Sequence, residues 1–100
     1  MQKYNKAAAD GLCRAFLTLG SVEECGRFLE DICTIQEVEA LSQRLDVARY
    51  LRRGMSYFEV NELTGASTAT IGRVSKCVNY GSGGYGIVLD RLGEAEDNDR

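Results

Sequence analysis

The residues best placed to do chemistry lie in one run, Ser67-Thr68-Ala69-Thr70-Ile71-Gly72-Arg73-Val74-Ser75-Lys76. Ser67 is a capping residue ahead of an apolar pattern of helical period, so the run reads as a helix from Thr68 to about Val78. At 100° per residue, Ile71, Val74 and Val78 fall on one side, and Ala69, Gly72, Arg73 and Lys76 on the other. The second side suits the major groove of duplex DNA. Small residues let the backbone approach base edges, while Arg and Lys reach guanines or phosphates. Ser67, Thr68 and Thr70 stand at the N-terminus of the same helix, where hydroxyls, backbone N–H groups and the positive end of the helix dipole suit a phosphate oxygen.

A helix that reads a groove needs a second helix to hold it. Ser56 with Glu59 has the form of a capping box and opens a helix carrying Phe58, Val60 and Leu63, which Thr64-Gly65-Ala66 breaks. Two short helices, at about 57–63 and 68–78, joined by a turn containing glycine have the length pattern of a helix-turn-helix. Gly65 supplies the left-handed backbone the turn requires, and Val60, Leu63, Ile71 and Val74 are expected to pack the helices together. Arg49, Arg52 and Arg53 end the preceding helix, where they either add positive charge to the surface or complement the dipole of their own helix.

The rest of the chain is also read as helical, giving an all-α fold. Proline is absent, and capping residues recur before apolar runs. Asn5 caps a first helix with Ala8, Leu12, Phe16 and Leu19, closed by Gly20. Ser21 with Glu24 opens a second, with Val22, Cys25, Phe28, Leu29 and Ile32. Thr34 with Glu37 opens the longest, through Ile35, Val38, Leu41, Leu45, Ala48 and Leu51, stopped by Gly54. After the glycine-rich stretch Tyr80-Gly81-Ser82-Gly83-Gly84, a last helix spans Tyr85 to Leu92. This organisation gives one domain over 1–93 and an acidic flexible tail over 94–100.

Composition narrows the function. The 100 residues include no histidine and none of the nucleophile-elbow or phosphate-loop sequences, so an enzyme is not expected. Cys13, Cys25, Cys33 and Cys77 form no C-x-x-C pair, which argues against a metal site and for reduced core thiols. No secretory signal and no apolar run of about 20 residues is present, so the expectation is a cytoplasmic protein without membrane contact. The net charge of −3 is misleading, because residues 94–100 carry four acids and one base, leaving 1–93 balanced at 11 acidic and 11 basic. Between Arg44 and Tyr80 six basic residues face three acids. The positive surplus therefore lies around the helix-turn-helix.

Leu63-Thr64-Gly65-Ala66-Ser67-Thr68-Ala69-Thr70-Ile71-Gly72-Arg73-Val74 resembles the Gly-Ala-x-x-Ala-Thr-Ile-x-Arg core of the Trp repressor superfamily. Glu30 to Thr34, Leu41 to Ala48, Leu51 to Gly54, Asn79 to Gly81 and Gly84-Tyr85 extend the likeness to the YerC/YecD branch, over about residues 12–92. The resemblance implies an intertwined, Trp-repressor-like helical homodimer that regulates transcription as a repressor, with two reading heads in successive major grooves of a roughly palindromic site. Leu12, Phe16, Phe28, Leu29, Ile32 and Leu41 would then serve the dimer core. It also implies an effector cleft. The positions matching the arginines that flank tryptophan in the Trp repressor are Arg44 and Arg73, with Thr34 matching a nearby polar contact. Val74 stands where the tryptophan-binding protein has glycine, which argues against tryptophan and leaves open another small-molecule corepressor or none. The competing reading is a helical homodimeric protein-interaction module that does not bind DNA.

Overall fold

The computed structural model describes residues 4–98, with side-chain surroundings through residue 93. Among the described residues the order is α1 Lys6–Leu17, α2 Val22–Ile32, α3 Ile35–Arg52, α4 Tyr57–Thr64, α5 Thr68–Tyr80 and α6 Gly84–Asn98. No helix among them is long and apolar enough to cross a membrane. Two compact units are present, Met1–Val38 and Glu39–Arg100.

In the first unit, side-chain caps set the helix starts. The Asn5 side chain accepts from the Ala8 N–H at 3.1 Å. Ser21 accepts from the Glu24 N–H at 3.1 Å, while Glu24 accepts from the Gly20 N–H at 2.8 Å. Thr34 and Glu37 form the reciprocal box, each side chain accepting from the other's N–H, at 3.1 and 2.8 Å. These bonds hold the Glu37 carboxyl below the ordinary glutamate range, the Thr34 backbone N–H acting most strongly. Phe16 of α1 meets Phe28 of α2 edge to face, with ring centroids 5.1 Å apart. Helix α1 ends at Leu17, earlier than Gly20 predicts, because the Thr18 hydroxyl donates to the Ala15 carbonyl at 2.7 Å and closes the last turn.

The second unit holds the core. Val47 and Ala48 of α3, Val60 of α4, Ala66 of the turn, and Ile71 and Val74 of α5 are buried. Tyr50, Leu51, Met55, Val78, Tyr85 and Leu89 pack around them. Val47 widens the apolar stripe that runs through Leu41, Leu45 and Ala48. Each large side chain fully buried here contributes about 1.5–3 kcal/mol relative to exposure.

Three expectations are corrected. Leu63 is 57 % exposed instead of packing α4 on α5. A two-turn helix offers few inward places, and Thr64, four residues after Val60, takes the one beyond it. Phe58 is also exposed, lying two residues, or about 200°, from Val60. The cysteines are free thiols but not core residues, since Cys13 and Cys77 are exposed and Cys25 and Cys33 only half-buried. Finally, α6 continues past Leu92 to Asn98. The side chains of the expected acidic tail and residues 99–100 lie outside the described residues.

Candidate nucleic-acid interface

The geometry of the helix-turn-helix follows from its turn. Gly65 ends α4 with φ 71° and ψ 4°, and its N–H donates to the Asn61 carbonyl at 2.8 Å. This left-handed conformation costs residues with a Cβ about 1–2 kcal/mol, and glycine adopts it freely. Side chains then lock the turn. Asn61 Nδ2 donates to the Ala66 carbonyl at 2.7 Å, and the Thr64 hydroxyl donates to the Val60 carbonyl at 2.7 Å while accepting from the Ala66 N–H at 3.1 Å. Gln43 of α3 donates to the Thr64 carbonyl at 3.1 Å, tying the turn to the long helix. Asn61, Thr64 and Gln43 were not identified as site residues from sequence. The usable signal is the placement of hydrogen-bonding side chains at 61 and 64, around the breaking glycine.

Helix α5 starts where Ser67 accepts from the Thr70 N–H at 3.1 Å, and the Ser67 hydroxyl donates to Thr70 Oγ1 at 3.1 Å. Ser67 is thus a capping residue whose hydroxyl is already engaged, and Thr70 is half-buried. Thr68 and Ala69 are exposed at the helix start, where the first-turn N–H groups lack intrahelical acceptors. Ile71 and Val74 are fixed in the core, so the opposite side is presented outward. Arg73 and Lys76 are exposed, and among the described residues no acidic side chain pairs with either. Gly72 is half-buried, yet a Cβ added there would meet nothing within 4 Å. The surface therefore has a shallow, open centre flanked by two cations, on a helix whose inner side is locked.

The effector-cleft residues are less unified. Thr34 belongs to the first unit, where its N–H and hydroxyl are engaged by Glu37. Arg44 and Arg73 belong to the second, and Arg44 acts electrostatically on the phenol of Tyr85. Burial raises the Tyr85 pKa above the ordinary phenol value, and nearby Cys77 adds to the rise while Arg44 opposes it. Val74, the residue whose bulk argues against an indole, is 3 % exposed within the core. A separate apolar cleft of about 460 Å³ is lined by Leu45, Cys77, Tyr85 and Val88 with the α5–α6 connection.

Comparison with known proteins agrees with the fold. The family model for Trp repressor protein matches residues 7–93. The uncharacterised protein YerC of Bacillus subtilis is 52 % identical over 87 residues, covering 87 % of this chain and 84 % of YerC. A provisionally named Trp repressor from Staphylococcus aureus has a crystal structure that superposes with TM-score 0.83 at 45 % identity, covering 87 % of each chain. A TrpR-like protein from Eubacterium eligens also superposes at TM-score 0.83, with 48 % identity over 87 % of this chain and 90 % of the other. A match that reaches every helix of the described fold makes this chain a member of the Trp repressor family.

Proposed function

We propose that the protein is a sequence-specific DNA-binding transcription regulator that reads the major groove with α5. The observation that carries this reading is the two-sidedness of α5. Ile71 and Val74 are locked in the core, while Ala69, Arg73 and Lys76 are exposed around a Gly72 whose surroundings are open. Thr68 and the helix start supply phosphate contacts, with Ser67 and Thr70 shaping that end. The unit acts as a homodimer. Leu12, Phe16 and Ile32, together with Leu41 of α3, are 36–49 % exposed in the single chain, apolar surface that a second copy would cover. A small-molecule effector acting through Arg44 and Arg73 of the second unit would modulate binding.

The test is selection of bound sequences from a random duplex pool at near-physiological salt, with and without tryptophan. An enriched palindrome with half-sites about one turn apart supports a dimeric reader. Dependence of that enrichment on tryptophan would show that Val74 does not bar the indole. Arg73→Ala and Lys76→Ala should each weaken binding while the melting curve is retained, and unchanged affinity in both would refute this orientation of α5.

A second reading is favoured by α4, where Phe58 is 73 % and Leu63 57 % exposed. Apolar residues on that helix suit protein docking as well as contact with thymine methyl groups. Salt separates the two. DNA binding through several cations falls steeply with salt, whereas a mainly apolar protein interface does not.

A further inference from the structure

The last turn of α3 and the middle of α6 enclose a second cationic feature, distinct from the exposed side of α5. Arg49, Arg52 and Arg53 converge with Leu89, Leu92 and Gly93 around a cleft of about 200 Å³. Complementing a helix dipole explains positive charge near a C-terminus, but it does not require those charges to share a concavity with apolar residues from another helix. Two of the guanidinium groups are held in place. Arg52 Nη2 donates to Asp90 Oδ1 at 2.5 Å and Nη1 to the Gly86 carbonyl at 3.4 Å. The Arg53 guanidinium lies over the Tyr50 ring, 5.7 Å from its centroid. Arg49 is half-buried and has an interaction of its own.

A guanidinium carries five N–H donors in a planar fork, so one or two intramolecular partners do not exhaust it. Several such forks on one cleft match the tetrahedral oxygens of a phosphate group, which accepts bidentate bonds from more than one direction. Leu89 and Leu92 supply the apolar side of the cleft. The cleft also lies just ahead of the reading motif, since Arg53 is followed by Gly54 at φ 84° and then by Ser56, the cap of α4.

We infer that this cleft is a phosphate subsite in which Arg49 and Arg53 hold one phosphate group while Arg52, its charge balanced by Asp90, offers its remaining N–H donors. The phosphate is either a diester of the DNA backbone beside the groove contact, an assignment that rests on the proposed DNA reading, or a free phosphomonoester.

The two sources are separated by two measurements on the full chain. In the first, binding of a fluorescent 20-base-pair duplex is followed from low to high NaCl for wild type, Arg73→Ala and the double variant Arg49→Gln/Arg53→Gln. Arg52 is left intact because its pair with Asp90 joins α3 to α6. One lost phosphate contact should make the slope of log K against log salt shallower by about 1, with a similar loss of affinity for every duplex sequence. In the second, inorganic phosphate is titrated into labelled wild-type protein while the arginine Nε–H signals are observed. This arm needs neither a folded variant nor DNA binding. Shifts confined to Arg49, Arg52 and Arg53 support the subsite as a free-phosphate site, even where wild type binds no duplex and the DNA reading fails. A wild-type slope in the double variant, with Arg73→Ala still weakening binding, removes the backbone assignment and leaves the DNA reading intact. Unmoved arginine signals together with an unchanged slope overturn the subsite altogether.

Discussion

Two glycines seven residues apart in one motif should respond oppositely to the same substitution. Gly65 sits at φ 71° with nothing within 4 Å of an added Cβ, so Gly65→Ala introduces no collision and its cost is conformational alone. Left-handed backbone costs an L-residue about 1–2 kcal/mol, partly offset by the smaller entropy of the unfolded alanine chain, leaving a net loss of about 1 kcal/mol. Gly72 is inside α5, also with open space around it. There alanine gains about 0.8–1.0 kcal/mol of helix propensity. The variants should therefore differ by about 2 kcal/mol. At about 4–8 °C per kcal/mol for a domain of this size, Gly65→Ala melts below wild type and Gly72→Ala above it by comparable margins. Thermal and urea unfolding should be run at one protein concentration, because self-association would make both midpoints concentration-dependent. Shifts of the same sign would refute the reasoning. A destabilised Gly72→Ala would mean that its outer side is packed, and a neutral Gly65→Ala that the turn is not left-handed. Under the DNA reading, the more stable Gly72→Ala should nonetheless bind its site less tightly, since the new methyl stands between the helix backbone and the base edges.

Ile71→Asp places an unpaired carboxylate at a fully buried position and should cost about 3–5 kcal/mol, whereas Leu63→Asp, at 57 % exposure, should stay within about 0.5 kcal/mol. Equal urea midpoints for the two would show that the helical phase is wrong. At the α5–α6 connection, a Cβ on Gly81 runs into the Cys77 carbonyl oxygen, so Gly81→Ala should destabilise by about 1–3 kcal/mol. An unchanged midpoint would mean that the chain leaves α5 by another path. The Thr34–Glu37 box gives a pH effect of definite sign. Because the folded Glu37 pKa lies below its ordinary value of 4.5, its stabilisation is present above that value and disappears as pH falls through the folded pKa. Glu37→Gln, which can still accept the Thr34 N–H, should remove that part of the acid dependence, and an identical stability–pH curve would exclude it.

Much of this architecture is local and was therefore legible. Ser21, Thr34, Ser56 and Ser67 announce helix starts because their side chains satisfy backbone donors within three residues, whatever the rest of the fold does. Gly65 is legible for the same reason. The division of α5 into Ile71 and Val74 inside, and Ala69, Arg73 and Lys76 outside, needs only the helical repeat and the identity of the apolar residues. The turn's bracing was harder to see. Asn61 and Thr64 are ordinary polar residues until the glycine turn brings Ala66 within reach of both.

What periodicity cannot supply is the surface that covers an apolar residue. Phe58, Val60 and Leu63 are equally apolar in the pattern, but a two-turn helix that turns Val60 into the core turns Phe58, about 200° away, outward. The cysteines fail for a related reason, since burial is frequent for that residue type but is decided by position, and Cys13 and Cys77 fall on outward sides. The same argument bears on Leu17, Val22 and Ile35, which are 75–90 % exposed. Helix caps fix where these residues begin their turns and say nothing about a second chain. Under the proposed dimer, the apolar sides of α1, α2 and the start of α3 are half of an interface, so their burial is a property of two chains. Sedimentation at micromolar concentration tests this directly. A dimer that dissociates on Leu12→Asp/Phe16→Asp would assign these sides to the contact between chains, whereas a stable wild-type monomer would remove the two-headed reading of a palindrome and leave α5 to bind single half-sites.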